Sequence, residues 1–430
     1  MEISVQSDQR TKDKTLDLSQ DEQRLSLGET IVMDKTLGDG GPTLRSHHLP
    51  TADQGPLTSQ EEQVDLSKSF GPSVFSEHRH KREGGGDWAM RSDPQSDLDR
   101  SRFEVREVLG SGGYGEVYGA KDLDLNRDVA LKQFKGELRE AISACQNELR
   151  FVGRLEHPSV PPVYQAALTT QGMPYIVMKR LRGEPLADVI DRLKRGDPET
   201  HAQYSFRARI ELVVQLLRVL ESAHQAEVLH RDIKPDNIYL SESGDLSLID
   251  WGIAEDFSIA RAEPILCGTP LYFSPEQGQA QALTPASDLF SVGAVAYELM
   301  CLHSSAPSTN QLQELIEMLP THQPPAVDRV LHSSQGYAPS EFKLPIMKAL
   351  SRRVEDRYET AREMRSALER SLDGRFDIGC PRTFLKGWMF KFSRWLDREL
   401  KNVLLVYFYL FIALALLVGL GVFIGYLIVI

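Results

Sequence analysis

The chain has 430 residues, 49 Lys and Arg against 61 Asp and Glu, a formal net charge of −12 and a 41% hydrophobic share. That length accommodates one large domain or two with appendages, and the acidic balance excludes nucleic acid as the main partner, because phosphate backbones demand a basic surface. The four cysteines (Cys145, Cys267, Cys301, Cys380) form no CxxC pair and no metal-ligand spacing, which points to reduced thiols facing a cytosol and away from a disulfide framework.

Residues 1–100 are rich in Ser, Asp, Glu, Gln, Gly and Thr, with Phe70, Phe75 and Trp88 as the only aromatics and no sustained helical or strand period. Such a segment buries too little apolar surface to offset its ordering entropy, so disorder is expected there. The start "MEISVQSDQR" has no apolar core of a secretory signal.

From Phe103 to about Leu372 the pattern becomes globular. "FEVREVLG" and "GEVYGAKD" read as two strands, with Gly110, Gly112 and Gly115 at the tip between them and Glu116 and Val117 following. Glycines adopt positive φ and let a backbone approach anionic oxygens; at a hairpin tip, and not opening a helix, they disfavour a dinucleotide fingerprint. "RDVALK" ends a strand on Lys132, which alone reads as a surface lysine. "ISACQNELRFVGRLEHP" has helical spacing and carries Glu148, alone an ordinary solvated charge, yet placed where it can pair with a strand lysine.

"VLHRDIKPDNIYL", residues 228–240, packs His230, Arg231, Asp232, Lys234 and Asn237 between apolar ends. Polar groups so dense in a hydrophobic frame read as a site. "LSLIDWGIAE" then ends a strand at Asp250, "CGTPLYFSPEQ" supplies Thr269 and Ser274-Pro275-Glu276, and "SDLFSVGAVAYEL" sets Asp288 at the head of an apolar helix.

In this order the stretches resemble the eukaryotic-type (Hanks-type) serine/threonine protein kinases, matching the set GxGxxGxV, VAxK, HRDxxxxN, DFG and APE. "YIVMKRLRGEPLADVI", "SPEQ" and "DLFSVGAVAYEL" look most like the bacterial members, several of them membrane-anchored. The resemblance implies an α+β, bilobal fold: an N-lobe antiparallel sheet with one helix and a mainly helical C-lobe. It also implies ATP and Mg²⁺ as cofactors and transfer of the γ-phosphate to serine and threonine hydroxyls of proteins, the chain itself included.

By the same resemblance, Leu109, Gly110, Ser111, Gly112, Gly113, Tyr114, Gly115, Glu116 and Val117 cover the nucleotide. Ala130 and Met178 border the adenine, and the backbone from Lys179 to Leu181 reads it. Lys132, paired with Glu148, contacts the α and β phosphates; Asp232 takes or orients the acceptor proton; Lys234 neutralises charge near the γ phosphate; Asn237 and Asp250 hold Mg²⁺ through hard oxygen atoms. Thr269 meets Asp232 and Lys234 from the substrate side, Glu276 pairs with Arg357, and His230 stacks beneath Trp251. Lys234 also favours Ser/Thr over Tyr as acceptor. Trp251, Ile233 and Ser274 depart from the usual Phe, Leu and Ala, each keeping the character of its slot. A pseudokinase scaffold is the alternative reading, but it predicts loss of the lysine, the aspartate or a metal ligand, and all are present. A small-molecule phosphotransferase would leave the activation segment degenerate, and "CGTPLYFSPEQ" is intact.

Residues 373–402 carry Lys386, Lys391, Arg394, Arg398 and Lys401 beside Trp388 and Trp395, the dressing of a cytoplasmic membrane interface. Residues 403–430 contain no charge; at ~1.5 Å per residue they reach roughly 42 Å as a helix, more than a ~30 Å hydrocarbon core. The expectation is a transmembrane tail anchor in the lipid bilayer with the kinase domain cytoplasmic. Gly421 and Gly425, with Ala415 and Gly419, give it a small-residue face that suits a homodimer.

Two regulatory expectations follow. Arg231 beside the catalytic aspartate marks kinases switched on by activation-segment phosphate, yet only Ser258 lies between Gly252 and Cys267 as an acceptor, while Glu255, Asp256 and Glu263 are acidic. One of these can serve as a permanent anion, making loop phosphorylation dispensable. In the N-terminal segment, Thr30 and Thr36 are candidates for autophosphorylation and for docking a phosphothreonine-binding partner.

Overall fold

The computed structural model describes residues 30–38, 41–46, 102–112, 115–169, 171–259 and 266–375, together with 407–409, 412 and 416. In chain order its strands begin with β1 (Ile31–Gly38), β2 (Gly41–Ser46), β3 (Phe103–Gly112), β4 (Gly115–Asp122) and β5 (Arg127–Phe134). Helix α1 (Leu138–Val152) follows, then β6 (Val163–Leu168) and β7 (Pro174–Lys179). Strands β3 to β7 form one antiparallel sheet in the order β3-β4-β5-β7-β6.

Alternation along these strands gives the sheet two apolar faces. Phe103, Tyr118, Val129, Leu131, Tyr175 and Val177 pack on one, while Phe134, Ala166 and Ile176 on the other receive Ala141 and Cys145 of α1. The buried positions of α1 are Ala141, Cys145, Glu148 and Phe151, steps of four and three that mark one helix face. A glutamate on that face needs a partner, because an unpaired buried carboxylate is costly. Register supplies it: Lys132 of β5 lies across from Val117 of β4 and Ile176 of β7, so it sits mid-sheet. Gly115 is required by packing, since a Cβ there would fall 2.2 Å from the Gln133 carbonyl oxygen.

The second part of the domain is mainly helical. It runs through β8 (Glu184–Pro185), α2 (Leu186–Lys194), α3 (Pro198–Gln203) and α4 (Phe206–Gln225). Short strands β9 (Val228–Leu229), β10 (Ile238–Leu240), β11 (Leu246–Leu248), β12 (Glu255–Asp256) and β13 (Leu266–Gly268) follow. Helices α5 (Pro275–Gly278), α6 (Pro285–Cys301), α7 (Leu312–Met318), α8 (Lys343–Ala349) and α9 (Ala361–Leu372) complete it. Helix α6 is buried on nearly every side, the pattern of a core axis. Pro285 in its first turn and a Thr284–Ser287 capping box fix where it starts. That start decides where Asp288 points. The bilobal α+β architecture expected from the sequence is the one observed.

The N-terminal segment departs from the expectation of disorder. Strand β1 pairs antiparallel with β13, Ile31 opposite Gly268, Val32 opposite Cys267 and Met33 opposite Leu266, and β2 pairs with the other edge of β1. No local period foretold this because the order comes from the partner: an open strand edge supplies the hydrogen bonds whatever the side chains are. The rest of 1–100, residues 376–402 and most of 403–430 lie outside the described residues. Among the described residues no helix is long and apolar enough to cross a membrane; Tyr407–Tyr409, Ile412 and Leu416 are helical and exposed.

Candidate active site

The catalytic loop is held from beneath by one carboxylate. Asp288 accepts the backbone N–H groups of His230 and Arg231, both at 3.0 Å, and the imidazole Nε2 of His224 at 2.9 Å. Burial works against its charge, but the His224 contact and the two amides prevail and keep the carboxyl below the usual range. These bonds hold Arg231 at φ 70°, a left-handed conformation costly for a non-glycine residue and concentrated at functional sites. His230 donates from Nε2 to the Ile249 carbonyl (3.0 Å), so its Nδ1 accepts the Asp232 N–H (3.2 Å). It meets Trp251 edge-on, at 4.5 Å and 63°, and not stacked as the sequence reading had it. An edge contact keeps both ring nitrogens available for the backbone.

With the loop fixed, Asp232 collects donors. Thr269 Oγ1 donates to its Oδ1 (2.6 Å), Asn237 Nδ2 to its Oδ2 (3.1 Å) and to its carbonyl (2.8 Å), and Lys234 Nζ lies 3.8 Å from Oδ2. The Thr30 hydroxyl sits in the same cluster. It donates to Asp232 Oδ2 (2.7 Å), accepts from Lys234 Nζ (2.9 Å) and lies 3.3 Å from Thr269 Oγ1.

Across the cleft, Lys132 Nζ is 2.7 Å from Glu148 Oε2 and 2.8 Å from Asp250 Oδ1. Burial opposes the ammonium, but the two carboxylates outweigh it and raise its pKa, so Lys132 stays charged. Burial likewise opposes the Asp250 carboxylate, and Lys132 pulls it below the ordinary range. Glu148 is pushed up by burial, Lys132 notwithstanding, with Asp250 adding to the rise. Two carboxylates sharing one ammonium leave excess negative charge at the cleft, the setting for a cation. Asp250, at φ 65°, keeps its side chain partly open to that side. The amide nitrogen of Asn237 is engaged by Asp232, which leaves its oxygen as the atom able to face a metal. One carboxylate and one amide oxygen fit Mg²⁺, which takes its other ligands from phosphates and water; among the described residues no group of three or more His, Cys, Asp or Glu forms a closed metal cage.

The roof over the cleft is the β3–β4 hairpin. Gly112 pairs with Gly115, and Gly110 and Gly112 have open space where a Cβ would stand. Leu109 and Ser111 are exposed at this tip, Glu116 is bridged to Lys135 (2.7 Å), and Gly113 and Tyr114 lie outside the described residues. Ala130 is paired with Met178 across the sheet, followed by the exposed Lys179 and the half-buried Leu181. Together these frame the mouth into which Lys132 projects its charge.

Behind the activation segment, Arg231 forms an ion pair with Glu255 at 2.9 Å, both side chains largely buried, and Arg154 pairs with Asp256 at 2.6 Å. Of the three acidic candidates, Glu255 meets Arg231, and Glu263 lies outside the described residues. Glu276 and Arg357 form a bidentate pair at 2.7 and 2.8 Å, with Ser287 also donating to Glu276.

Two contributors escaped the sequence reading. Gln277 Nε2 donates to the carbonyls of Arg231 (2.8 Å) and Cys267 (2.7 Å), tying the catalytic loop to β13. Asn147 Nδ2 donates to the Gly252 carbonyl (2.8 Å), tying α1 to the turn after Asp250. Each neighbours a residue that the motifs mark, Glu276 and Glu148, and that adjacency is the only signal the sequence offers.

Comparison with known proteins agrees with this geometry. Residues 103–367 match the family model "Protein kinase domain". The chain is 31% identical over 284 residues to serine/threonine-protein kinase PknB of Mycobacterium tuberculosis, covering 64% of this chain and 43% of that protein. It is 30% identical over 283 residues to a probable serine/threonine-protein kinase of Streptomyces coelicolor, covering 64% and 40%. The chain thus spans less than half the length of these curated relatives. It belongs to the protein kinase family, in its bacterial, eukaryotic-type serine/threonine branch.

Proposed function

We propose that this chain transfers the γ-phosphate of ATP to serine and threonine hydroxyls of proteins. The observation that carries the reading is an alcohol held where such an acceptor must sit: the Thr30 hydroxyl donates to Asp232 and accepts from Lys234, with Thr269 alongside. Phosphoryl transfer depends mostly on positioning and charge neutralisation. Asp232 orients the hydroxyl and receives its proton, Lys234 neutralises the acceptor side, and Lys132, steadied by Glu148, neutralises the nucleotide phosphates under the β3–β4 roof. Asp250 and Asn237 would hold Mg²⁺, which when bound neutralises phosphate charge. A scaffold without activity is disfavoured because none of these groups is missing. The test is the purified chain with Mg-ATP and a generic protein substrate: labelled phosphoserine or phosphothreonine is expected, and no transfer under any divalent cation would return the scaffold reading.

We propose further that residues 403–430 span a bilayer, with 373–402 as its basic, aromatic flank and the kinase domain on the cytoplasmic side. The uncharged stretch supports this, as do the exposed helical positions Tyr407, Phe408, Tyr409 and Leu416. The glycine face around Gly421 and Gly425 suits pairing of two copies. Recovery of the full chain in the alkaline supernatant after membrane washing would remove the anchor.

A further inference from the structure

Strand β1 meets the kinase domain at the edge of β13, the strand that leads directly into Thr269. Extended peptides bind in this way at exposed sheet edges, with backbone ladders giving affinity and side-chain position giving specificity. The register puts Ile31 opposite Gly268, so the residue just before the strand, Thr30, falls at the catalytic carboxylate. Gly268 suits this register: at φ 115° it adopts a conformation that disfavours side chains, and a Cβ there would fall 2.6 Å from the Arg231 carbonyl oxygen and 2.8 Å from Gln277 Nε2. Strand β2 closes the outer edge of β1 and leaves no further strand position open there.

We infer that the chain carries its own first substrate: Thr30 is a phosphoacceptor in cis, and strand β1 occupies the protein-substrate groove until Thr30 is modified. The inference rests on the kinase reading above. Thr30 Oγ1 forms a bond to the γ-phosphorus of ATP as the bond from that phosphorus to the β-phosphate bridging oxygen breaks. The bond's electron pair leaves on ADP, and the hydroxyl proton passes to Asp232 and then to solvent. The observed hydrogen bonds suit this step. The proton already points at Asp232 Oδ2, one oxygen lone pair faces Lys234, and another stays available for phosphorus.

The product undermines its own binding. A phosphothreonine brings a charge of about −1.5 to −2 to an atom now 2.7 Å from a carboxylate. Against that repulsion stand three register pairs of backbone, each hydrogen bond worth only about 0.5–1.5 kcal/mol net. The modified arm therefore leaves, and the groove opens to other chains. Those that fit it share the arm's form: an extended segment with threonine followed by aliphatic residues, as in Thr30-Ile31-Val32-Met33.

The experiment uses the full chain. With Mg-ATP, Thr30 is expected to be the first residue phosphorylated, with a first-order rate unchanged over a dilution of about 100-fold, as tethering requires. Phosphorylation of a generic protein substrate should show a lag that preincubation with Mg-ATP abolishes. An activity-independent readout comes from Val32→Cys. Opposed residues in an antiparallel pair have Cα atoms within disulfide range, so mild oxidation without nucleotide should give an intramolecular crosslink to Cys267, identified by the mass of the linked peptides. Adding Thr30→Glu should cut its yield several-fold and shorten the lag. If the generic substrate is phosphorylated while Thr30 never carries phosphate, or if Val32→Cys fails to crosslink, the inference falls and the kinase reading stands. If neither substrate nor Thr30 is phosphorylated, the kinase reading itself fails. A Thr30 rate that rises in proportion to enzyme concentration overturns transfer in cis.

Discussion

Two buried cations serve the site, Arg231 within the catalytic loop and Lys132 across the cleft, and their partners differ. Lys132 faces two carboxylates, Glu148 and Asp250, so its cluster carries excess negative charge. Arg231 is met by Glu255, contributed by the same activation segment that an added phosphate would otherwise order. The first cluster is left incomplete and calls for a cation; the second is already balanced by the chain. The contrast predicts ligand dependence at Lys132 and, at Arg231, a charge balance that needs no added phosphate.

The largest losses should come from the catalytic carboxylate Asp232 and from Lys132 of the first cluster. Asp232→Asn should lower turnover by roughly two to four orders of magnitude, the range of a general base, with thermal stability and nucleotide affinity nearly kept. Lys132→Met should lower it comparably while also leaving Glu148 and Asp250 without their shared counterion. Single-turnover phosphorylation with parallel thermal melts checks both; near-normal transfer in either variant removes that residue from the mechanism.

Closed pairs should instead report on stability. Removing one partner of a buried ion pair costs about 3–5 kcal/mol, so Arg357→Ala, which strands Glu276, should lower the unfolding midpoint sharply. Burial opposes the Glu276 charge, yet Arg357 prevails and holds its folded pKa below the ordinary value. A depressed folded value stabilises the fold above the unfolded pKa, near 4.3, and that contribution disappears as pH falls through the folded value. Urea titrations from neutral pH down through the carboxylate range should therefore show less acid destabilisation in Glu276→Gln than in the parent. An equal pH slope in both would mean that other carboxylates carry the acid sensitivity.

How much of this was legible depended on whether a residue's role is local. Lys132, Asp232, Asn237 and Asp250 sit in short stretches whose order alone identifies the site, and the pairing of Glu276 with Arg357 followed from the family pattern. The Arg231–Glu255 pair was anticipated only as one of three acidic options, because sequence proximity cannot say which carboxylate turns inward; pairing of β12 with β9 decides it. Strand β1 was not legible at all. Its order depends on a sheet edge more than 200 residues away in the chain, and nothing periodic in "TIVMDKTLG" records that edge. Gln277 and Asn147 were hidden for a related reason: each acts through backbone carbonyls, which carry no residue signature.

The balanced cluster gives two smaller effects. Glu255→Gln leaves Arg231 buried without its full counterion, and a loss of about tenfold in kcat/KM, or 1.4 kcal/mol, is expected, with Glu255→Asp recovering most of it because the charge is kept. The smallest expected effect is none. Ser258 is exposed, its hydroxyl donating to Asp256 at 2.6 Å, and Asp256 is held by Arg154. A phosphate on Ser258 would therefore stand beside a carboxylate already below its ordinary pKa, lowered first by its Ser258 hydrogen bond and, despite partial burial, by Arg154. Like charges so close gain nothing. Ser258→Ala, and phosphatase treatment of the enzyme carrying Thr30→Glu, should leave the initial rate on a generic substrate unchanged. Loss of activity in either case would show that Glu255 does not replace a regulatory phosphate, and that the two cations differ in geometry but not in their need for a ligand.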